Sequence, residues 1–65
     1  MTHYYSEVRK KNMLELENQI KDIENSPDYE KKLNVLILNF AIDKGLREKT
    51  VWQYYNQLRT AGRVR

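Results

Sequence analysis

Apolar positions recur along the chain at the three- and four-residue spacing of α-helices, in three intervals separated by two breaks. The breaks are Asn25-Ser26-Pro27-Asp28 and Lys44-Gly45, where a proline and a glycine interrupt the helical pattern. No interval shows the alternation with a period of two that is typical of a strand. The pattern predicts one all-α domain over residues 1–65, a three-helix bundle with helices at about 4–24, 27–44 and 47–61 and a short extended stub after them.

The first predicted helix carries a narrow apolar stripe on a polar and charged background. From Met13 onward its apolar residues are spaced by three, four and three, as in a helix that packs along another helix. Leu14 lies beside the stripe and could widen it. The segment can be interpreted as the first helix of the bundle or, in addition, as a dimerisation helix. The candidate dimer interface consists of Met13, Leu16, Ile20 and Ile23.

The second predicted helix is almost entirely apolar in the stretch LNVLILNFAI, which predicts the central and most buried helix of the bundle. One stripe is formed by Tyr29, Leu33, Leu36, Ile37, Phe40 and Ala41, and Val35, Leu38 and Ile42 are expected to widen it. Ser26 is a candidate cap before the helix. Gly45 is expected to end the helix in the left-handed conformation.

The third predicted helix has one apolar face and one polar face. Val51, Tyr55 and Leu58 recur at intervals of four and three, so we expect them to face the core, with Tyr54 beside them. Gly62 is expected to terminate this helix.

Size and composition limit the classes of function that the chain can have. A chain of 65 residues buries only about 60% of the surface that its unfolded form exposes, which favours an additional source of stability. Cysteine is absent, so neither disulfides nor thiolate metal sites can supply the additional stability. Oligomerisation is the remaining common source. Without a signal-peptide pattern or an apolar run of membrane-spanning length, we expect an intracellular protein that has no membrane segment. No catalytic set, phosphate loop or metal-ligand cluster stands out, so we expect neither an enzyme nor a cofactor.

Charge is distributed unevenly along the chain, although the net charge is only +3. Residues 13–30 carry six acidic side chains against a single lysine, whereas residues 31–65 carry eight basic side chains against two acidic ones. A split of this kind favours a polyanion such as nucleic acid as the partner of the C-terminal half.

The spacing of residues in the C-terminal third resembles that of winged-helix DNA-binding domains. The matching positions are Gly45, Leu46, Thr50, Val51, Tyr55, Leu58, Gly62 and Val64. Arg47 stands where these families often place a capping serine, and the sequence stops where the first wing strand would begin. The resemblance therefore implies a trihelical, wingless helix-turn-helix domain.

In such a domain the third helix would enter the major groove of double-stranded DNA. Residues at its start suit phosphates or the first bases, the amides of Gln53 and Asn56 suit base edges, Trp52 suits a thymine methyl group or a sugar, and the later arginines suit phosphates. Glu48 would repel phosphate unless it accepts a hydrogen bond from cytosine or pairs with a neighbouring cation. The implied DNA-binding residues are Arg47, Lys49, Thr50, Trp52, Gln53, Asn56, Arg59, Arg63 and Arg65.

These observations predict a DNA-binding protein, in particular a small homodimeric transcriptional regulator. The alternative is a helical adaptor or assembly subunit that binds a protein partner through its first helix and the surface around Trp52.

Overall fold

Three helices make up the fold: α1 (Thr2–Ile23), α2 (Tyr29–Lys44) and α3 (Glu48–Thr60). The computed structural model describes the backbone of residues 2–65 and the side chains of residues 7–65. Each helix contacts the other two, which confirms the predicted all-α three-helix bundle. Within the described part of the chain, no helix has both the length and the apolar character needed to cross a lipid bilayer.

Both α2 and α3 end in the same way, at a glycine with left-handed backbone. Gly45 has a φ of 67°, and the N–H of Leu46 donates to the carbonyl of Ala41 at 2.8 Å. Gly62 has a φ of 75°, and the N–H of Arg63 donates to the carbonyl of Leu58 at 2.9 Å. These are Schellman endings, in which the first residue after the glycine turns back across the last helical turn.

The core lies where the three helices meet. Leu16 and Ile20 of α1, Ile37 of α2 and Val51 of α3 are completely buried. The expected inward face of α3 is present, because the structure also buries Tyr54, Tyr55 and Leu58.

The outer side of α2 corrects the expected width of the buried stripe of this helix. Val35, Leu38 and Ile42 remain 58%, 46% and 71% exposed, instead of widening the buried stripe. The reason is geometric, because α1 and α3 both pack on the side of α2 that carries Leu33 and Ile37. Two neighbouring helices cannot cover the full circumference of a third helix.

The start of α2 also differs from the expectation. Ser26 does not cap the helix, because α2 begins only at Tyr29 and Asp28 occupies the capping position without a side-chain hydrogen bond to the backbone. The hydroxyl of Ser26 instead accepts a hydrogen bond from Lys32 Nζ at 3.2 Å.

The apolar stripe of α1 is used within the chain. Leu16 and Ile20 are fully covered by the other two helices, while Met13 and Ile23 are partly buried against the same core. A second chain could reach Leu16 and Ile20 only if this core opened. Leu14 lies outside the stripe and is 53% exposed.

Candidate nucleic-acid interface

The turn between α2 and α3 sets the direction in which α3 leaves the bundle. It consists of three residues, Gly45, Leu46 and Arg47, a length that is typical of helix-turn-helix units. Arg47 has extended backbone, and its carbonyl accepts hydrogen bonds from the N–H groups of Thr50 and Val51, which begins the helix.

The outward side of α3 is polar and is formed by Lys49, Gln53 and Asn56. Their spacing of four and three places them on one face, directly opposite Val51 and Leu58. All three side chains are exposed, and none of them forms a hydrogen bond or ion pair with another described side chain. This face therefore presents two amides and one ammonium group to solvent.

Trp52 lies at the edge of this face and is partly buried against the core. Its ring meets Tyr55 edge to face, with the ring centroids 5.6 Å apart, and its indole Nε1–H donates to Glu48 Oε2 at 3.2 Å. The indole is thus the partner of Glu48, in place of the lysine or arginine that the sequence suggested. Trp52 remains partly exposed beside the polar face.

The other residues implied for DNA contact at α3 are Arg47, Thr50 and Arg59. Arg47 and Arg59 are exposed, and Thr50 is half-buried. A cavity of about 620 Å³ between the start of α2 and α3 is lined in part by Tyr29, Trp52 and Arg59. This cavity lies beside the polar face, on the side of Trp52 and Arg59.

Arg63 has a partner inside the bundle. Its Nε donates to Glu17 Oε1 at 2.6 Å, and Lys21 Nζ lies 3.2 Å from the second oxygen of the same carboxylate. Glu17 is only 5% exposed, so this charge lies at the edge of the core with both oxygens bound. The hydrogen bond from Arg63 holds the pKa of the Glu17 carboxyl below its usual range, against the opposing effect of burial.

Arg65 is likewise held against the bundle. Its guanidinium donates to the carbonyl of Glu24 at 2.8 Å and lies 5.5 Å from the ring centroid of Tyr29, while its backbone N–H donates to Glu24 Oε2 at 2.8 Å. The carbonyl of Arg65 accepts hydrogen bonds from the hydroxyls of Tyr55 at 3.0 Å and Tyr29 at 3.4 Å. Burial, followed by the interaction with Tyr55, raises the pKa of Tyr29 to about 12.

Val64 anchors the segment between these two arginines, and its side chain is only 8% exposed. We call residues 63–65 the C-terminal clasp, because they tie the end of α3 to α1 and to the start of α2. Neither the clasp nor the role of its partners Glu17 and Glu24 was predictable from the sequence pattern. Tyr29, Glu17 and Glu24 lie 36 to 46 positions from their partners in residues 63–65, so no local pattern connects them.

A second ion pair joins α1 to the end of α2. Lys44 Nζ lies 2.6 Å from Glu15 Oε2 and 5.7 Å from the ring centroid of Phe40. The hydrogen bond between them lowers the pKa of Glu15 and raises that of Lys44.

The described residues contain no group of three or more histidine, aspartate or glutamate side chains placed to hold a metal ion. Comparison of the chain with models of protein families, with curated proteins and with solved structures returned no match.

Proposed function

We propose that this protein binds double-stranded DNA through the outward face of α3 and acts as a small transcriptional regulator of the wingless helix-turn-helix type. The observation that carries the proposal is the pairing of a three-residue turn with an adjacent helix whose outer face holds Lys49, Gln53 and Asn56 without internal partners. A single α-helix fits the major groove, and side-chain amides match the donor and acceptor pattern of adenine there.

The roles within this face follow from position and chemistry. Gln53 and Asn56 lie in the middle of α3 and contact base edges. Lys49 lies in the first turn with Arg47 just before it, so these two cations bind phosphates and fix the position of the helix in the groove. Arg59 extends the same contact to the last turn.

Arg63 and Arg65 contribute less to this proposal than the other basic residues do. Arg63 and Arg65 already bind Glu17 and the Glu24 carbonyl, so a phosphate would have to replace those partners. Their contact with DNA stays a prediction, and we assign the main phosphate contacts to Arg47, Lys49 and Arg59.

A salt titration of duplex binding tests the proposal, with fluorescence anisotropy of a labelled duplex as the readout. Each phosphate contact that is lost reduces the slope of log K against log salt by about 0.9. We expect Lys49→Ala to reduce the slope by about one unit. Lys31→Ala is the matched control, because Lys31 is an exposed helical lysine on α2 and should leave the slope unchanged.

Base readout is tested separately, on a site recovered by selection from random duplexes. Replacement of Gln53 or Asn56 by alanine should lower affinity for the selected site by about 5- to 150-fold while non-specific binding survives. Gln19→Ala, on the exposed side of α1, serves as the control. The fluorescence of Trp52, the only tryptophan, reports contact beside the interface without a label.

Absence of duplex binding at low salt would refute the proposal. So would a Lys49→Ala variant with the salt dependence of the Lys31→Ala control. Either outcome would favour the adaptor alternative, in which the surface around Trp52 binds a protein.

A further inference from the structure

An exposed apolar stripe runs along the outer side of α2. It consists of Val35, Leu38 and Ile42, spaced by three and four residues, so the side chains lie on one face of the helix. They are 58%, 46% and 71% exposed, and the face they form points away from the core residues Leu33 and Ile37. Together they expose roughly 300 Å² of apolar surface, about the size of the largest apolar patch on a typical monomer.

Charged and amide groups border this stripe in a definite order. Lys32 and Asp43 are eleven residues apart, about three helical turns, so they lie on the same flank of α2 near its two ends. Both are exposed, and exposed Asn39 lies between them. Asp43 is the more distant partner of Lys44, at 3.9 Å, because Lys44 binds Glu15 at 2.6 Å.

We propose that a second copy of this chain packs on the stripe, with the two α2 helices antiparallel about a two-fold axis at Leu38. In this arrangement Leu38 meets its own counterpart, and Val35 of each copy packs on Ile42 of the other. A two-fold axis brings the same flank of both α2 helices together in opposite directions, so Lys32 of each copy lies beside Asp43 of the other. The charge pair therefore forms twice.

The same order of residues argues against an unrelated partner as the occupant. The apolar residues and the opposite charges are both arranged around one point, and this self-complementarity is what an isologous interface requires. The stripe residues of two copies supply roughly half of the ~1,200 Å² at the lower end of stable interfaces, and their polar neighbours add to that area. We therefore expect a dimer with a dissociation constant in the micromolar range.

This interface replaces the α1 seam as the site of the predicted homodimer, because the seam is used in the core. It shares no residue with the outward face of α3. The inference therefore does not rest on DNA binding, and each proposal can fail without the other.

Sedimentation equilibrium from about 1 μM to 1 mM tests the inference. Leu38→Lys should weaken self-association by at least about 30-fold, as expected for a residue at the centre of an interface. Leu14→Lys is the matched control, because Leu14 is a similarly exposed leucine on α1 and should leave association within about threefold of the unmodified protein. Circular dichroism confirms that both variants fold.

The charge pair provides a second measurement. Lys32→Asp or Asp43→Lys alone should each weaken association by about fivefold, because two exposed pairs are lost and like charges meet. The double swap should restore it.

The absence of cysteine allows a third measurement. Leu38→Cys should form a disulfide-linked dimer under mild oxidation much faster than Leu14→Cys, since the two Leu38 positions meet at the axis. A chain that stays monomeric at 1 mM, a dimer that survives Leu38→Lys, or equal cross-linking at both positions would overturn the inference. In each variant, duplex binding at low salt is measured in parallel, so that loss of the dimer is distinguished from failure of the DNA-binding proposal.

Discussion

The contribution of the C-terminal clasp to stability can be measured by shortening its apolar anchor. Val64 is 8% exposed, and Val64→Ala removes two buried carbon atoms. At ~0.8 kcal/mol for each, the free energy of unfolding should fall by about 1.5 kcal/mol. The site lies at the edge of the core and can partly close, so little is added for a cavity.

The matched control is Val8→Ala on α1, because Val8 is 41% exposed and loses the same atoms. This variant should change stability by less than about 0.5 kcal/mol. Urea unfolding followed by circular dichroism gives both values, and thermal unfolding should place Val64→Ala about 6–12 °C below the unmodified protein. If the two variants have the same stability, Val64 does not anchor the segment in solution, and the account of the clasp is wrong.

Three further predictions concern individual groups. The pKa of Glu17 in the folded protein lies below its unfolded value of about 4.5. The carboxylate therefore stabilises the fold fully above that pH, and this contribution is lost as the pH falls through the folded pKa. Glu17→Gln should flatten the acid limb of a stability profile measured from pH 7 to pH 2. Because the pKa of Tyr29 is about 12 in the folded protein, the unfolded chain loses the phenol proton at lower pH, and the free energy of unfolding should fall between pH 10 and pH 12. Tyr29→Phe should reduce that fall and remove the late step in absorbance at 295 nm. Gly45→Ala should lower the free energy of unfolding in urea by about 1 kcal/mol, because Gly45 has a φ of +67° that strains an L-residue. Steric contact adds nothing, since no atom lies within 4 Å of the added Cβ. An unchanged urea midpoint would contradict this prediction.

The periodicity of the sequence was sufficient to predict the helices and the inward face of α3. Val51, Tyr55 and Leu58 recur at intervals of four and three with polar residues on the opposite face, so the period itself indicates which face is buried. The glycines that end α2 and α3 were also predictable, since the left-handed conformation is a local property of the residue.

The outer face of α2 could not be predicted in this way. The period places Leu33 and Ile37 on the main stripe and Val35, Leu38 and Ile42 outside it, but it does not say how wide the buried side is. Only the positions of the neighbouring helices decide that the second set stays exposed.

The hydrogen-bond partners of Arg63 and Arg65 could not be predicted from the sequence for a different reason. Arg63 and Glu17 are 46 positions apart, and Arg65 and Glu24 are 41 apart, so their pairing depends on the complete fold. From sequence, the cationic segment after α3 suggested phosphate contacts. The carboxylates that bind it lie in a distant and strongly acidic part of the chain.

The C-terminal clasp also bears on the order of folding events. Glu17 lies in α1 and its partner Arg63 follows α3, so this contact spans all three helices. Contacts of such long sequence separation carry a high loop-closure cost and form late unless other contacts have already brought the segments together. Variants of residues 63–65 should therefore mainly accelerate unfolding and leave the folding rate nearly unchanged. The pairing of α2 with α3 across its three-residue turn can form before the clasp closes.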